Sequence, residues 1–114
     1  MISIIIPCYN DEMRLQRAVN SALRQDYKDP YEIVVVDDGS KKTIENRWGD
    51  RVNLIHHPEN LGLPIALNTG IRECKGDRFL ILASDDKLHP VYLSSMSKSG
   101  ADIVSCDFMG ENQK

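Results

Sequence analysis

Ile33-Val34-Val35-Val36-Asp37-Asp38-Gly39-Ser40 is a β-branched apolar run that stops on two adjacent carboxylates. A continuous apolar run, rather than an alternating one, marks a strand covered on both faces, as in parallel sheets. Adjacent acids at its end need a reason, because like charges repel and cost free energy to desolvate. The arrangement recurs downstream: Phe79-Leu80-Ile81-Leu82 is followed by Ala83-Ser84 and then Asp85-Asp86. Two such endings in one small domain point to a site for a cation, for a ligand rich in hydrogen-bond donors, or for both.

Outward from these runs, strand and helix signals alternate. Ser3-Ile4-Ile5-Ile6, closed by Pro7, reads as the first strand. Leu15, Ala18, Val19, Ala22 and Leu23 then form one stripe at helical period, with Asn10 or Asp11 as cap. After the second strand, residues 32–36, Ser40 is expected to cap a short helix ending near Gly49. Val52-Asn53-Leu54-Ile55 is the third strand. A loop over Asn60-Leu61-Gly62-Leu63 leads to a helix with Pro64 in its first turn, a buried edge of Leu67, Ile71 and Cys74, and an end at Gly76. The fourth strand covers residues 78–82, Pro90 opens a helix that Gly100 closes, and residues 102–106 form a fifth strand.

This alternation predicts an α/β fold: a Rossmann-like, mostly parallel sheet with helices on both faces and right-handed crossovers. The expected strand order is 3-2-1-4 plus the fifth strand. Ligands of such sheets bind beyond the carboxyl ends of the strands, where both acid pairs lie. In that order the first strand separates the two acidic ones, so the pairs stand roughly 10 Å apart. A nucleotide diphosphate spans such a gap.

Size and charge narrow the field. A length of 114 residues, 41% of them hydrophobic, suits one domain with a modest core. A net charge of −3, with scattered Lys and Arg, argues against a nucleic-acid surface. Cys8, Cys74 and Cys106 are odd in number and widely spaced, so they make neither a disulfide framework nor a zinc motif. They read as reduced thiols of a cytoplasmic protein, Cys8 being a semi-buried thiol rather than a nucleophile. The chain enters a strand straight after Met1, and no apolar run is long enough to cross a bilayer. Peripheral membrane attachment is left to a longer parent.

Two rival readings fail on their motifs. A dinucleotide fold needs a glycine-rich turn after the first strand, but Pro7-Cys8-Tyr9-Asn10-Asp11-Glu12 has no glycine and two acids. No P-loop occurs either. A receiver domain wants acids after strands one and three and a lysine after strand five. Without an anion cradle, a diphosphate needs positive charge from a cation held by carboxylates, and hard oxygen ligands favour Mg²⁺ or Mn²⁺.

Four segments carry a family resemblance: Ser3-Ile-Ile-Ile-Pro-Cys-Tyr-Asn10, Val34-Val-Val-Asp-Asp-Gly-Ser40, Asn60-Leu-Gly-Leu-Pro-Ile-Ala-Leu-Asn-Thr-Gly70 and Leu82-Ala-Ser-Asp-Asp86. In order and spacing they resemble the motifs of family 2 glycosyltransferases over nearly the whole chain. The resemblance implies a GT-A fold, a nucleotide-diphosphate sugar donor (foremost a UDP-sugar), a divalent metal, and inverting transfer to the hydroxyl of a glycan, lipid or small-molecule acceptor. By position, Pro7 and Tyr9 would line the base pocket and Asp38 would accept a hydrogen bond from the base, a match to the N–H of uracil. Asp85 and Asp86 match the acidic metal motif. One would meet ribose or metal and the other metal and diphosphate, and the resemblance does not say which is which.

Departures are specific. Ala83 stands where a further acid is common, and Lys41-Lys42 replace acidic or small residues and read as solvated charge. Family catalytic domains are longer and carry the acceptor site and catalytic base on a later segment; Glu111 is not in that context. Residues 1–114 are therefore expected to be a single donor-binding domain, truncated before the acceptor half. The alternative is a non-catalytic nucleotide-sugar-binding module, or a fragment that needs another chain for its base. Such a domain should expose apolar surface and self-associate or bind a partner chain. Other polar residues receive quieter readings: His56 and His57 as loop or surface histidines, His89 at a helix entry or beside the metal, Trp48 packing the short helix, Asn60 and Asn68 in turns or caps.

Overall fold

In the computed structural model the described residues are 1–99, with the expected fifth strand at 102–106 and Gly100 outside them. The elements run β1 (Ile2–Cys8), α1 (Glu12–Leu23), β2 (Tyr31–Asp37), a 3₁₀ turn (Gly49–Arg51), β3 (Val52–His56), α2 (Leu63–Glu73), β4 (Arg78–Ile81) and α3 (Tyr92–Ser99). All pairings are parallel and the order is β3-β2-β1-β4, as the alternation requires. No helix among the described residues is long and apolar enough to cross a membrane.

Strand pleating divides the core between the two faces of the sheet. Ile2, Ile4, Ile6 and Cys8 of β1, with Ile33 and Val35 of β2, pack against Leu15, Ala18, Val19 and Ala22 of α1 and against Leu93 and Met96 of α3. Val34 and Val36 point the other way, onto Ala66 of α2. The uninterrupted apolar run of β2 thus serves a helix on each side.

Two features differ from expectation at β1 and α2. Pro7 does not close β1, which continues to Cys8 in register with β2. The Ile5 carbonyl accepts from Leu82 N and the Cys8 carbonyl from Asp38 N, so alternate residues face β4 and β2. Pro7 therefore turns its nitrogen toward β4 beyond the last β1–β4 pair, Ile5 with Ile81, and no ladder donor is lost. In α2 the buried edge is Ala66, Thr69 and Gly70, whereas Ile71 is exposed. A Cβ on Gly70 would lie 2.5 Å from Ile5 Cγ2. Small residues let the helix axis come close to the sheet, and the larger apolar side chains are left on its flanks.

Residues 40–48 form no helix; a single 3₁₀ turn at Gly49–Arg51 follows them. The Asp37 carboxylate takes the N–H groups of Ser40 (3.1 Å) and Ile44 (3.4 Å), a side-chain alternative to helical bonding. Ile44 is buried in the α1-side core, and Trp48 packs partly against the same core rather than against a helix of its own. α3 starts two residues after Pro90, with its Leu93 N–H donating to the buried Gln25 side chain at 3.0 Å.

Candidate functional site

The alternation of β2 sends its terminal acids to different jobs. Asp37, 2% exposed, faces the α1 side and organises the following loop. Besides Ser40 and Ile44 it meets His56, whose Nδ1 lies 3.0 Å from Oδ2. Burial pushes its carboxyl up, but hydrogen bonds from Ser40, His56 and Ile44 outweigh burial and hold it below its ordinary value.

Asp38 is also buried, on the α2 side. Its Oδ1 lies 2.7 Å from His57 Nδ1 and accepts from Leu61 N at 3.0 Å. Its Oδ2 accepts from Gly62 N at 2.9 Å and from the Asn60 amide at 3.2 Å. That amide also reaches the Asp38 carbonyl at 3.2 Å. A carboxylate offers about four lone-pair sites, and here all are engaged. Burial raises this carboxyl too, and the bonds from His57, Leu61 and Gly62 prevail and lower it. The loop can descend this far because Gly39 (φ 72°) leaves room: a Cβ there would sit 2.2 Å from the Glu59 carbonyl carbon.

A cavity of about 270 Å³ opens beside Asp38, lined by Pro7, Cys8, Tyr9, Asp38, Asn60, Gly62, Leu63 and Ala66. The structure therefore gathers Pro7, Tyr9 and Asp38 at the carboxyl ends of β1 and β2. Tyr9 is 44% exposed, with its ring open to an incoming group. A larger hollow of about 420 Å³, lined by Met1, Ile2, Tyr27, Asp29, Pro30, Asp77 and Arg78, lies at the amino ends of the strands. Parallel sheets do not place ligands at that end.

Asp85 and Asp86 stand apart from this cavity, past β4 and so across β1 from Asp38. The Asp86 N–H closes a turn onto the Ala83 carbonyl at 3.0 Å. The Asp85 side chain is 57% exposed, with Arg14 Nη1 4.0 Å from it. Among the described residues no three His, Cys, Asp or Glu side chains converge as a metal cage. Two adjacent carboxylates, one largely in solvent, do fit an open Mg²⁺ or Mn²⁺ site completed by water and phosphate oxygens. His89 serves the helix entry: its carbonyl accepts from Gln25 Nε2 at 2.7 Å and from Tyr92 N at 3.0 Å.

Lys41 and Lys42 are exposed. Cys8 is buried, and burial, opposed by a hydrogen bond at Asp11, pushes its thiol up to about 11. It stays a neutral thiol near pH 7, as a small core residue should.

Both histidines lie where a loop or surface reading puts them, but each is paired with a carboxylate. The side chain of His57 is 9% exposed, and its Nε2 lies 2.8 Å from Thr69 Oγ1. His56 is exposed, as expected, and is paired with Asp37. The signal was present in the order 3-2: His56-His57 ends β3 as Asp37-Asp38 ends β2, and the register sets Asp37 opposite His56. Asn60 does tie down a loop, as expected of a turn residue, and it also lines the cavity.

A parallel sheet in this order, helices on both faces and acids beyond two strand ends define a Rossmann-like domain of the GT-A type. Solved structures with the same fold include S. aureus TarS residues 1–349 in complex with UDP-GlcNAc (TM-score 0.78, 27% identity, covering 85% of this chain and 30% of that one). Another is the mannosyltransferase PcManGT from Pyrobaculum calidifontis in complex with GDP-Man and Mn²⁺ (TM-score 0.76, 27% identity, 89% and 32% covered). The model of glycosyl transferase family 2 matches residues 3–114, and the chain belongs to that family. An uncharacterized glycosyltransferase of Rickettsia typhi is 44% identical over 93 residues, 79% of this chain. The chain spans only 29% of that relative's length.

Proposed function

We propose that this chain is the donor-binding part of a metal-dependent glycosyltransferase that uses a nucleotide-diphosphate sugar, foremost a UDP-sugar. The observation that carries the reading is the cavity shared by Pro7, Tyr9 and Asp38 at the carboxyl end of the central strands. The base enters there, with the Tyr9 ring and Pro7 as its apolar walls. Asp38 accepts the base N–H. One of its present donors must give way, and the Asn60 amide is the one that does. Its contact is the longest of the four, and it keeps the Asp38 carbonyl when it lets go of Oδ2.

From the base, the diphosphate extends past β1 toward Asp85 and Asp86, which would hold the divalent ion. When bound, that ion supplies positive charge against the departing diphosphate. The acceptor hydroxyl attacks the anomeric carbon from the face opposite the diphosphate, which inverts the configuration there. The proton of that hydroxyl goes to a base outside the four motifs. The TarS and PcManGT complexes, with UDP-GlcNAc and with GDP-Man and Mn²⁺, support a nucleotide-sugar donor and a divalent ion.

Calorimetric titration of UDP with and without Mn²⁺ tests the reading. Binding should require the metal and fall at least about tenfold in Asp85→Ala or Asp86→Ala, the loss of one charged ligand. Absence of UDP binding with every divalent metal tried would overturn it. A UDP-release assay with candidate acceptors separates an enzyme from a binding module.

A further inference from the structure

Nothing in the donor-site reading uses the buried imidazole of His57. It bridges the carboxyl end of β2, through Asp38, and the middle of α2, through Thr69. Thr69 Oγ1 is itself 3.0 Å from the Ile65 carbonyl one turn earlier, so its position is fixed by the helix. The helix is fixed in turn by the close seat of Ala66 and Gly70 on the sheet. A rigid path therefore runs from the sheet through α2 and the imidazole to a single carboxylate oxygen.

The two oxygens of Asp38 are held unequally. Oδ1 takes the shortest contact, from His57 at 2.7 Å, and a backbone N–H. Oδ2 takes a backbone N–H and the shared Asn60 amide. Holding Oδ1 sets the rotation of the carboxylate, and that rotation decides where Oδ2 points. Because an ionised carboxylate only accepts, the 2.7 Å contact needs a proton on His57 Nδ1. Thr69 at Nε2 keeps the ring in the plane that allows this, as outer partners of a working imidazole commonly do.

We propose that His57 is a positioning residue of the donor site: it pins Oδ1 of Asp38 so that Oδ2 faces the nucleotide base, and Thr69 holds the ring in place. His57 thereby sets base selectivity without touching the nucleotide. The inference rests on the donor-site reading, in which Asp38 reads the base N–H. It predicts an effect on which base binds, whereas a merely structural histidine would affect all nucleotides alike.

UDP and CDP, titrated in parallel in the presence of Mn²⁺, make the discriminating pair. Uracil presents N3–H to a carboxylate, whereas cytosine presents a lone pair at the same position. The unmodified chain should prefer UDP by about tenfold to a hundredfold, the worth of one hydrogen bond to a charged group. His57→Leu should reduce that preference to within about threefold. His57→Asn, which keeps a side-chain N–H near Nδ1, should restore much of it. Thr69→Val should lie between them, and it carries the test if His57→Leu fails to fold by circular dichroism. Retention of the full UDP preference in His57→Leu or, where that variant does not fold, in Thr69→Val overturns the inference. So does an equal loss of UDP and CDP, which marks a purely structural role. If the unmodified chain binds neither nucleotide, the donor-site reading itself has failed.

Discussion

Gly70→Ala tests how closely α2 is seated on the sheet. The added Cβ would lie 2.5 Å from Ile5 Cγ2, well inside contact distance, and 3.5 Å from Val36 Cγ2. Ile5 and Val36 are both fully buried, and a β-branched side chain in a strand has little freedom to turn away. Overpacking of this kind costs about 1–3 kcal/mol. Alanine returns up to ~1 kcal/mol of helix propensity over glycine. The net expectation is a destabilisation of about 1–2 kcal/mol. In thermal unfolding that corresponds to a fall of roughly 4–10 °C. The pair of variants Gly70→Ala and Ile5→Ala sharpens the test. Ile5→Ala alone should cost about 2–5 kcal/mol through the cavity it leaves. In that background the clashing Cγ2 is gone, so Gly70→Ala should become neutral or stabilising, with a coupling of about 1–3 kcal/mol. Urea unfolding measures all four proteins. A Gly70→Ala protein more stable than its parent, or additive effects in the double variant, would refute the close seating of α2.

Other outcomes follow from the same residues. Asp37 and Asp38 have carboxyls held below their ordinary value in the fold, so each binds its proton less readily there than in the unfolded chain. Their contribution to stability is fully present above about pH 4 and is lost as pH falls through the folded values. Urea midpoints between pH 7 and pH 2 should drop on the acid side, less steeply in Asp38→Asn; a flat profile contradicts this. Asp37→Ala strips the Ser40 and Ile44 N–H groups of their acceptor and should cost about 2–4 kcal/mol by chemical unfolding. An unchanged midpoint would show that the loop does not depend on this carboxylate. Cys8, with its thiol raised to about 11, should resist iodoacetamide at pH 8 in the folded protein and react once urea unfolds it. Rapid labelling of folded Cys8, read by peptide mass spectrometry, would contradict its burial.

Much of the fold could be read from the sequence because its signals are local. Ile4-Ile5-Ile6 and Val34-Val35-Val36 declare buried strands by composition, and Leu15, Ala18, Val19 and Ala22 declare a helix face by spacing. The residues that escaped are governed by tertiary contact. Apolarity favoured Leu67 and Ile71 for the buried edge of α2, but closest approach to the sheet selected Ala66 and Gly70. Residues 40–48 carry a helix cap signal, yet the Asp37 carboxylate captures the Ser40 and Ile44 N–H groups. At the site, Pro7, Tyr9 and Asp38 could be named from their places in the family's motifs. His57 was harder to place, because its contacts with Asp38 and Thr69 appear only when β3 is laid beside β2 and α2 packs on β1 and β2.

We place the nucleotide base in the cavity lined by Pro7, Tyr9 and Asp38. Backbone amide shift mapping by NMR, on addition of UDP with Mn²⁺, tests it most directly. Shifts are expected at Tyr9, Asp38, Leu61 and Gly62, with a second group at Asp85 and Asp86. Shifts confined to the opposite end of the sheet, at Ile2, Tyr27, Asp77 and Arg78, would contradict it.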